Sequence, residues 1–311
     1  MSANLYTKQS SNVRKTWFLM GIFFVLIMAI GWFTSWYLET PLILLVAVVF
    51  SVIMNIASFW WSDKIVLKIT GAKEASKETH RDLYNIVENL SITAGLPIPK
   101  IYVINDPTPN AFATGRDKEH AVVSFTTGII KLLDKAELEG VVAHELSHIG
   151  NKDILLQTVV VVLVGFVTLL SDFLLRISIF GGGRDGGGDS KSGQVQIILI
   201  VVGFALAILA PLVAVVIQLA ISRKREFLAD ASGAMLTRYP EGLASALEKI
   251  SMHSGKMKKA NHATAHLFIS DPYGDKEKEN KKGKKKIGFM HKMFRTHPPV
   301  EERVASLRGI K

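Results

Sequence analysis

The sequence predicts a mainly α membrane protein: four transmembrane helices carrying, between and after them, an α+β part with a small sheet. Three observations predict this class. Four long apolar runs, residues 17–33, 41–61, 154–180 and 195–221, approach or exceed the roughly 20 residues a helix needs to cross a bilayer core. Hydrophobic residues make up 49% of the chain while its formal net charge is +10, so apolar and charged residues must be segregated along it. The segments outside the runs show the mixed patterning of water-facing helices and strands. With no cysteine in 311 residues, thiol catalysis and thiolate ligands are excluded, and any metal site has to be built from nitrogen and oxygen.

Residues 1–16 carry Lys8, Arg14 and Lys15 and no acid, and the apolar run that follows is too long for a signal peptide. Thr34-Ser35-Trp36-Tyr37 reads as an interfacial aromatic belt rather than a cleavage site, so the first span is uncleaved. Leu38-Glu39-Thr40-Pro41 leaves room only for a tight hairpin, which makes residues 17–61 a pair of antiparallel spans. Residues 154–221 form a second such pair around the glycine-rich loop Gly181 to Gln194, whose two basic residues balance its two acids. That loop lacks the ending of a phosphate cradle and reads as a linker on the periplasmic side. The basic excess thus lies outside both hairpin loops, which puts residues 1–16, 62–153 and 222–311 on the cytoplasmic side.

From residue 62 to 153 the pattern is that of a soluble domain. Residues 76–94 predict a helix with Leu83, Ile86, Val87 and Leu90 on one stripe, stopped by Gly95-Leu96-Pro97. Residues 101–104 and 120–125 predict short strands, separated by a turn-rich segment at 105–110 and by Ala111 to Gly115. A strand beside a metal-bearing helix can take an extended peptide onto its edge, or it can serve only to cover a helix bundle. The following helix has Asp134 as its cap, Glu137 completing a capping box and Gly150-Asn151 at its end. Asp153 then caps the third span.

That helix holds His144-Glu145-Leu146-Ser147-His148. Two imidazoles four residues apart share one helix face and can bind a single divalent ion, with Glu145 beside the first as a proton acceptor for metal-activated water. By average residue usage the pattern arises by chance in roughly one chain of this length in a hundred. Glu226 and Asp230 lie four apart, just beyond the fourth run. Glu226 is either an ion-pair partner of Arg223 or Lys224 at the lipid surface or the third metal ligand. In the second reading Asp230 accepts from the free ring nitrogen of a ligand histidine. The two ligand helices then meet only if the spans between them fold as a hairpin.

Residues 241–252 predict an amphipathic helix with Leu243, Leu247 and Ile250 inside. His262 and His266 repeat the ligand spacing without a catalytically placed acid. Residues 276–286 hold seven lysines against two glutamates and no aromatics, a composition suited to anionic lipid headgroups or to plain solvation rather than to nucleic acid. In Thr296-His297-Pro298-Pro299 the prolines stiffen the approach to a final helix bearing Arg303; a solvent-facing histidine on a capping turn is the plainer reading.

Taken together, His144 to His148, Glu226 to Asp230 and Thr296 to Pro299 resemble the HtpX family of integral-membrane zinc metalloproteases, relatives of the CAAX prenyl proteases. The resemblance spans nearly the whole chain and implies a zincin-like, gluzincin catalytic part. It implies that His144, His148 and Glu226 bind one zinc ion, that Glu145 is the general base and that Asp230 orients a ligand histidine. It further implies that Asn110 contacts substrate backbone, and that His297 and Arg303 reach the site to stabilise the tetrahedral intermediate or regulate access. Cleavage of misfolded or damaged membrane proteins at the cytoplasmic face of a bacterial inner membrane, as part of envelope-stress quality control, comes with the same resemblance. A prenyl-protein protease would keep every motif. A non-enzymatic metal-binding chaperone or transporter is the reading from another class, and a transporter would need ligands inside the spans, which contain no histidine.

Overall fold

The computed structural model describes residues 5–37, 39–180, 203, 223–261, 263–274 and 298–310. Helix α1 (Leu5–Tyr37) and helix α2 (Pro41–Trp60) form the expected hairpin, both long and apolar enough to cross a membrane. Their axes approach closely where Gly31 faces the Ala47 side chain. The helix of the first span begins well before its apolar run, at Leu5, so the basic amino-terminal residues form its first turns rather than a separate tail. Helix α3 (Ser62–Thr70) continues α2 after a break at Trp61 and ends on Gly71 in the left-handed conformation. Trp17, Phe18, Leu42, Val46 and Ile53 stay exposed, as side chains facing lipid do.

Strand β1 (Lys73–Glu74), helix α4 (Arg81–Ala94), strands β2 (Lys100–Ile104), β3 (Ala111–Thr114) and β4 (Val122–Thr126), and helices α5 (Thr127–Leu132) and α6 (Lys135–Gly150) follow. The helix expected at 76–94 starts at Arg81, because Ser76 and Thr79 pair side chains in a turn before it. The sheet order is β1-β2-β4-β3, with β2 and β4 parallel and the outer pairs antiparallel. Residues 111–115, read from sequence as a spacer, hold the edge strand. Ala111 and Ala113 face the α6 core, while Phe112 faces Phe268 with ring centroids 5.1 Å apart. A strand buried on both faces has no polar alternation to betray it.

Helix α7 (Asp153–Phe180) carries the third apolar run, and α1 and α7 share a cluster of Met20, Phe23, Ile27, Leu155, Val159 and Leu163. It leaves α6 through an 84° bend at Asn151-Lys152, where Lys152 has φ 56°. The fourth run and the glycine-rich loop fall, apart from Gly203, outside the described residues. Helices α8 (Arg223–Thr237), α9 (Pro240–Met252) and α10 (Val300–Arg308), with a 3-10 turn at Ala265–Leu267, complete the chain.

The main core lies around α6. Leu138, Val141, Val142 and Leu146 pack against Leu83, Ile86 and Val87 of α4 and Leu243, Leu247 and Ile250 of α9. The capping box forms as expected, Asp134 accepting from the Glu137 amide and Glu137 from the Asp134 amide, and Glu137 also receives Lys249 of α9 at 2.6 Å. Close approach depends on two glycines. A Cβ on Gly140 would lie 2.6 Å from the Leu243 amide nitrogen, and one on Gly233 3.0 Å from that of His144.

Candidate metal centre

Helix α6 delivers His144, Glu145 and His148, and α8 delivers Glu226 and Asp230. On α8, Glu226, Asp230 and Gly233 follow at helical spacing and line the stripe that faces α6. Gly233 lets the backbones close, and the side chains before it then reach His144 and His148. All five side chains are buried.

The Nε2 atoms of His144 and His148 are 3.2 Å apart. Glu226 reaches both, with Oε2 3.9 Å from His144 Nε2 and Oε1 3.7 Å from His148 Nε2. An ion bound tetrahedrally through bonds of about 2.0–2.2 Å keeps its ligand atoms about 3.4 Å apart. The three side chains therefore fit a single divalent metal. Among the described residues they are the one such group of histidines and acids.

Each ring has its other nitrogen against a carboxylate. His148 Nδ1 donates to Asp153 Oδ2 at 3.1 Å, since a carboxylate can only accept, and His144 Nδ1 lies 3.0 Å from Asp230 Oδ1. Both Nε2 atoms are thereby turned toward the space between the helices. Asp230 also receives Arg303, Nε to Oδ2 at 2.8 Å and Nη2 to Oδ1 at 2.6 Å, and Nη2 stands 3.5 Å from His144 Nε2.

Burial sets the electrostatics. It pushes His144 down to about 4, against the pull of Asp230. The same burial acts on His148, but the Asp153 hydrogen bond and the charges of Glu226 and Asp153 outweigh it and hold that ring up at about 9. Burial raises the Glu145 carboxyl to about 7, where His148 pulls it down and Glu226 adds to the rise, and the Ala113 amide of β3 faces it. Burial would also raise Asp230, yet the Arg303 charge and hydrogen bonds hold it well below the usual carboxylate range.

Of the residues expected at the site, His144, Glu145, His148, Glu226, Asp230 and Arg303 come together. Asn110 lies at the head of β3, its amide taken by the chain itself: Nδ2 donates to the Ser270 carbonyl at 2.9 Å and Oδ1 accepts from the Ser270 amide at 3.1 Å. His297 and His262 fall outside the described residues. His266 turns to the Gln157 carbonyl of α7, 3.3 Å away, so it belongs to the packing of α7. Asp153, which the sequence predicts as a helix cap, opens α7 and turns its carboxylate to His148. An acid five residues beyond a ligand histidine, across a sharp turn, was the signal available.

Residues 77–311 match the model of Peptidase family M48. A protein named "Protease HtpX homolog" from Caldanaerobacter subterraneus subsp. tengcongensis is 45% identical over 309 residues, covering 98% of each chain. Those of the same name from Thermoanaerobacter pseudethanolicus and Dictyoglomus thermophilum are 45% identical over 308 residues and 44% over 304, covering 98% and 97% of this chain and 98% and 94% of theirs. A looser likeness, with a TM-score of 0.47 and 18% identity, covers 97% of this chain and 67% of the one titled "Crystal Structure of S. mikatae Ste24p". With a metal-fitting triad on two packed helices and relatives of this kind over nearly its full length, the chain belongs to peptidase family M48, among the HtpX-type membrane metalloproteases.

Proposed function

We propose that the protein is a zinc endopeptidase that cleaves misfolded or damaged membrane proteins at the cytoplasmic face of a bacterial inner membrane. The observation that carries this reading is the convergence of His144, His148 and Glu226 from two helices onto one ion-sized space, with Glu145 beside it. The donor set of two imidazoles and one carboxylate suits zinc and leaves a coordination position for water or substrate. Bound there, zinc would supply Lewis acidity, polarising a scissile carbonyl and acidifying a water.

In this mechanism Glu145 accepts the proton of the attacking water and passes it to the leaving amine. Asp230 fixes the orientation of His144, and Arg303 fixes Asp230 while placing a cation beside the ligand face. That cation is suitably placed for negative charge developing on a tetrahedral intermediate. Substrate would lie along β3, whose Ala113 amide points at Glu145. Asn110 offers its amide to substrate backbone only if the Ser270 segment moves aside. His297 is assigned to the same face by family resemblance alone.

The catalytic halves are residues 62–153 and 222–311, joined across the α6–α8 contact. The exposed Trp60 and Trp61 at the end of α2, with Arg116 stacked 4.7 Å over the Trp60 ring, support a membrane interface next to this part. A second hairpin over 154–221 would add two spans to those of α1 and α2, and the lysine-rich 276–286 stretch would meet anionic headgroups. Replacing Glu145→Gln tests the assignment in zinc-loaded protein assayed on an unfolded membrane protein. Hydrolysis should fall by about 10² to 10⁴ with zinc content unchanged; full activity would reject Glu145 as the base.

A further inference from the structure

A polar residue inside the first membrane helix is the starting point. Asn12 is buried, and both ends of its amide are used. Its Nδ2 donates to Asp153 Oδ1 at 2.7 Å and to the Asn151 carbonyl at 3.2 Å, while its Oδ1 accepts from Arg225 Nη1 at 2.9 Å. One turn along α1, Thr16 Oγ1 donates to the Asn12 carbonyl. A helix that merely packed in lipid would not keep an amide in the protein interior, where an unpaired polar group is costly.

What Asn12 holds is specific. The two oxygens of Asp153 are divided between two tasks: Oδ2 accepts from His148 Nδ1, and Oδ1 takes Asn12 with Arg225 Nη1 at 3.6 Å. A carboxylate held at one oxygen can rotate about its Cβ–Cγ bond; held at both, it cannot. Arg225 in turn immediately precedes Glu226 on α8. Asn12 therefore touches the support of His148 from one side and the neighbour of Glu226 from the other, and the turn between α6 and α7 through Asn151.

We propose that Asn12 is a positioning residue for the metal centre, acting on His148 through Asp153, whose outer oxygen it shares with Arg225. The first membrane helix is then part of the active centre and not only its anchor. The inference rests on the metal reading given above. Its distinctive consequence is that changes at Asn12 alter the geometry and affinity of metal binding, and do so only while Asp153 is present.

The test uses the full chain purified in detergent, stripped with a chelator and titrated with Co²⁺, read by the visible absorption of the bound ion and by competition with a chelator. Asn12→Ala should lower Co²⁺ affinity about tenfold and shift the absorption, in the range expected when a partner of a ligand is lost. Asp153→Asn should do so by about 10- to 100-fold, and the double variant should be no worse than Asp153→Asn alone. Thr16→Val, one turn away on the same buried face, should leave the spectrum unchanged. If Asn12→Ala does not fold, the isosteric Asn12→Asp, which turns a donor into an acceptor against Asp153, is read in its place with the same expectation. Unaltered affinity and absorption in the Asn12 variant, or losses that add fully in the double variant, would overturn the proposal. Failure of the unmodified chain to bind Co²⁺, or binding that survives His144→Ala, would instead reject the ligand set itself.

Discussion

Arg303 and Asp230 meet as a fork, two donors on two oxygens at 2.8 and 2.6 Å, in a place where neither side chain reaches solvent. The pair joins the last helix of the chain to the helix that carries Glu226, and stands against His144. Removing the cation leaves a buried carboxylate uncompensated. Arg303→Ala should cost about 3–5 kcal/mol of stability in the metal-free protein, the usual penalty for breaking a buried pair from one side. Arg303→Lys should recover only part of it, because a single ammonium cannot fill both oxygens of the fork. Thermal unfolding of both variants measures the difference.

Metal binding should be coupled to a proton on His148. In the metal-free protein that ring is held at about 9, above its ordinary value of 6.5. Because the folded-state pKa is raised, its contribution to stability is fully present below about pH 6.5 and is lost as pH rises through about 9. A divalent metal needs the neutral ring, so binding between those limits should release about one proton from it, and affinity should climb about tenfold per pH unit before levelling near pH 9. Calorimetric titration at pH 7.5 in two buffers of different ionisation enthalpy counts the proton. Identical heats in both buffers would contradict this assignment.

Gly233 is predicted to control the spacing of the centre. A methyl there would stand 3.0 Å from the His144 amide nitrogen, so α8 has to withdraw by a few tenths of an ångström and take Glu226 with it. Gly233→Ala should therefore weaken zinc binding about tenfold. It should also cost about 1–3 kcal/mol through overpacking. A variant that loses stability but binds zinc as before would show that the helices reseat without disturbing the ligands.

Glu137 ties the start of α6 to α9 through its capping role and Lys249. Glu137→Ala should lower stability by about 1–2 kcal/mol, the scale of a lost cap plus a lost charge-assisted hydrogen bond. Proteolysis per folded molecule should change little, since the residue lies at the far end of the helix from His148. Denaturant unfolding alongside an activity assay separates the two effects.

The helix that bears His144 and His148 was fully legible, because its cap, its buried stripe and its ligand spacing are all local. Glu226 was legible only by pairing two motifs about eighty residues apart. The edge strand at Ala111 was not, because both of its faces are covered and periodicity gave no sign. Asp153 and Asn12 were hidden for another reason. Their roles depend on a contact between the first turns of α1 and the turn after α6, more than a hundred residues away in sequence. The Asn12–Thr16 spacing at the foot of an apolar run was the one local hint, and it was overshadowed by the basic residues around it.

The bend between α6 and α7 lies at the edge of the candidate metal centre, beside His148. Only Asn151 and Lys152 separate the helix that bears His144 and His148 from the apolar helix α7, and the turn is sharp, at 84°. A membrane helix adjusts its tilt when the hydrocarbon layer around it is thinner or thicker than its apolar length. With α7 in the bilayer as proposed, such a tilt would be felt at the end of the helix where Asp153 meets His148. Lipid chain length is then expected to act on the metal centre, with affinity for the ion differing between thin and thick bilayers.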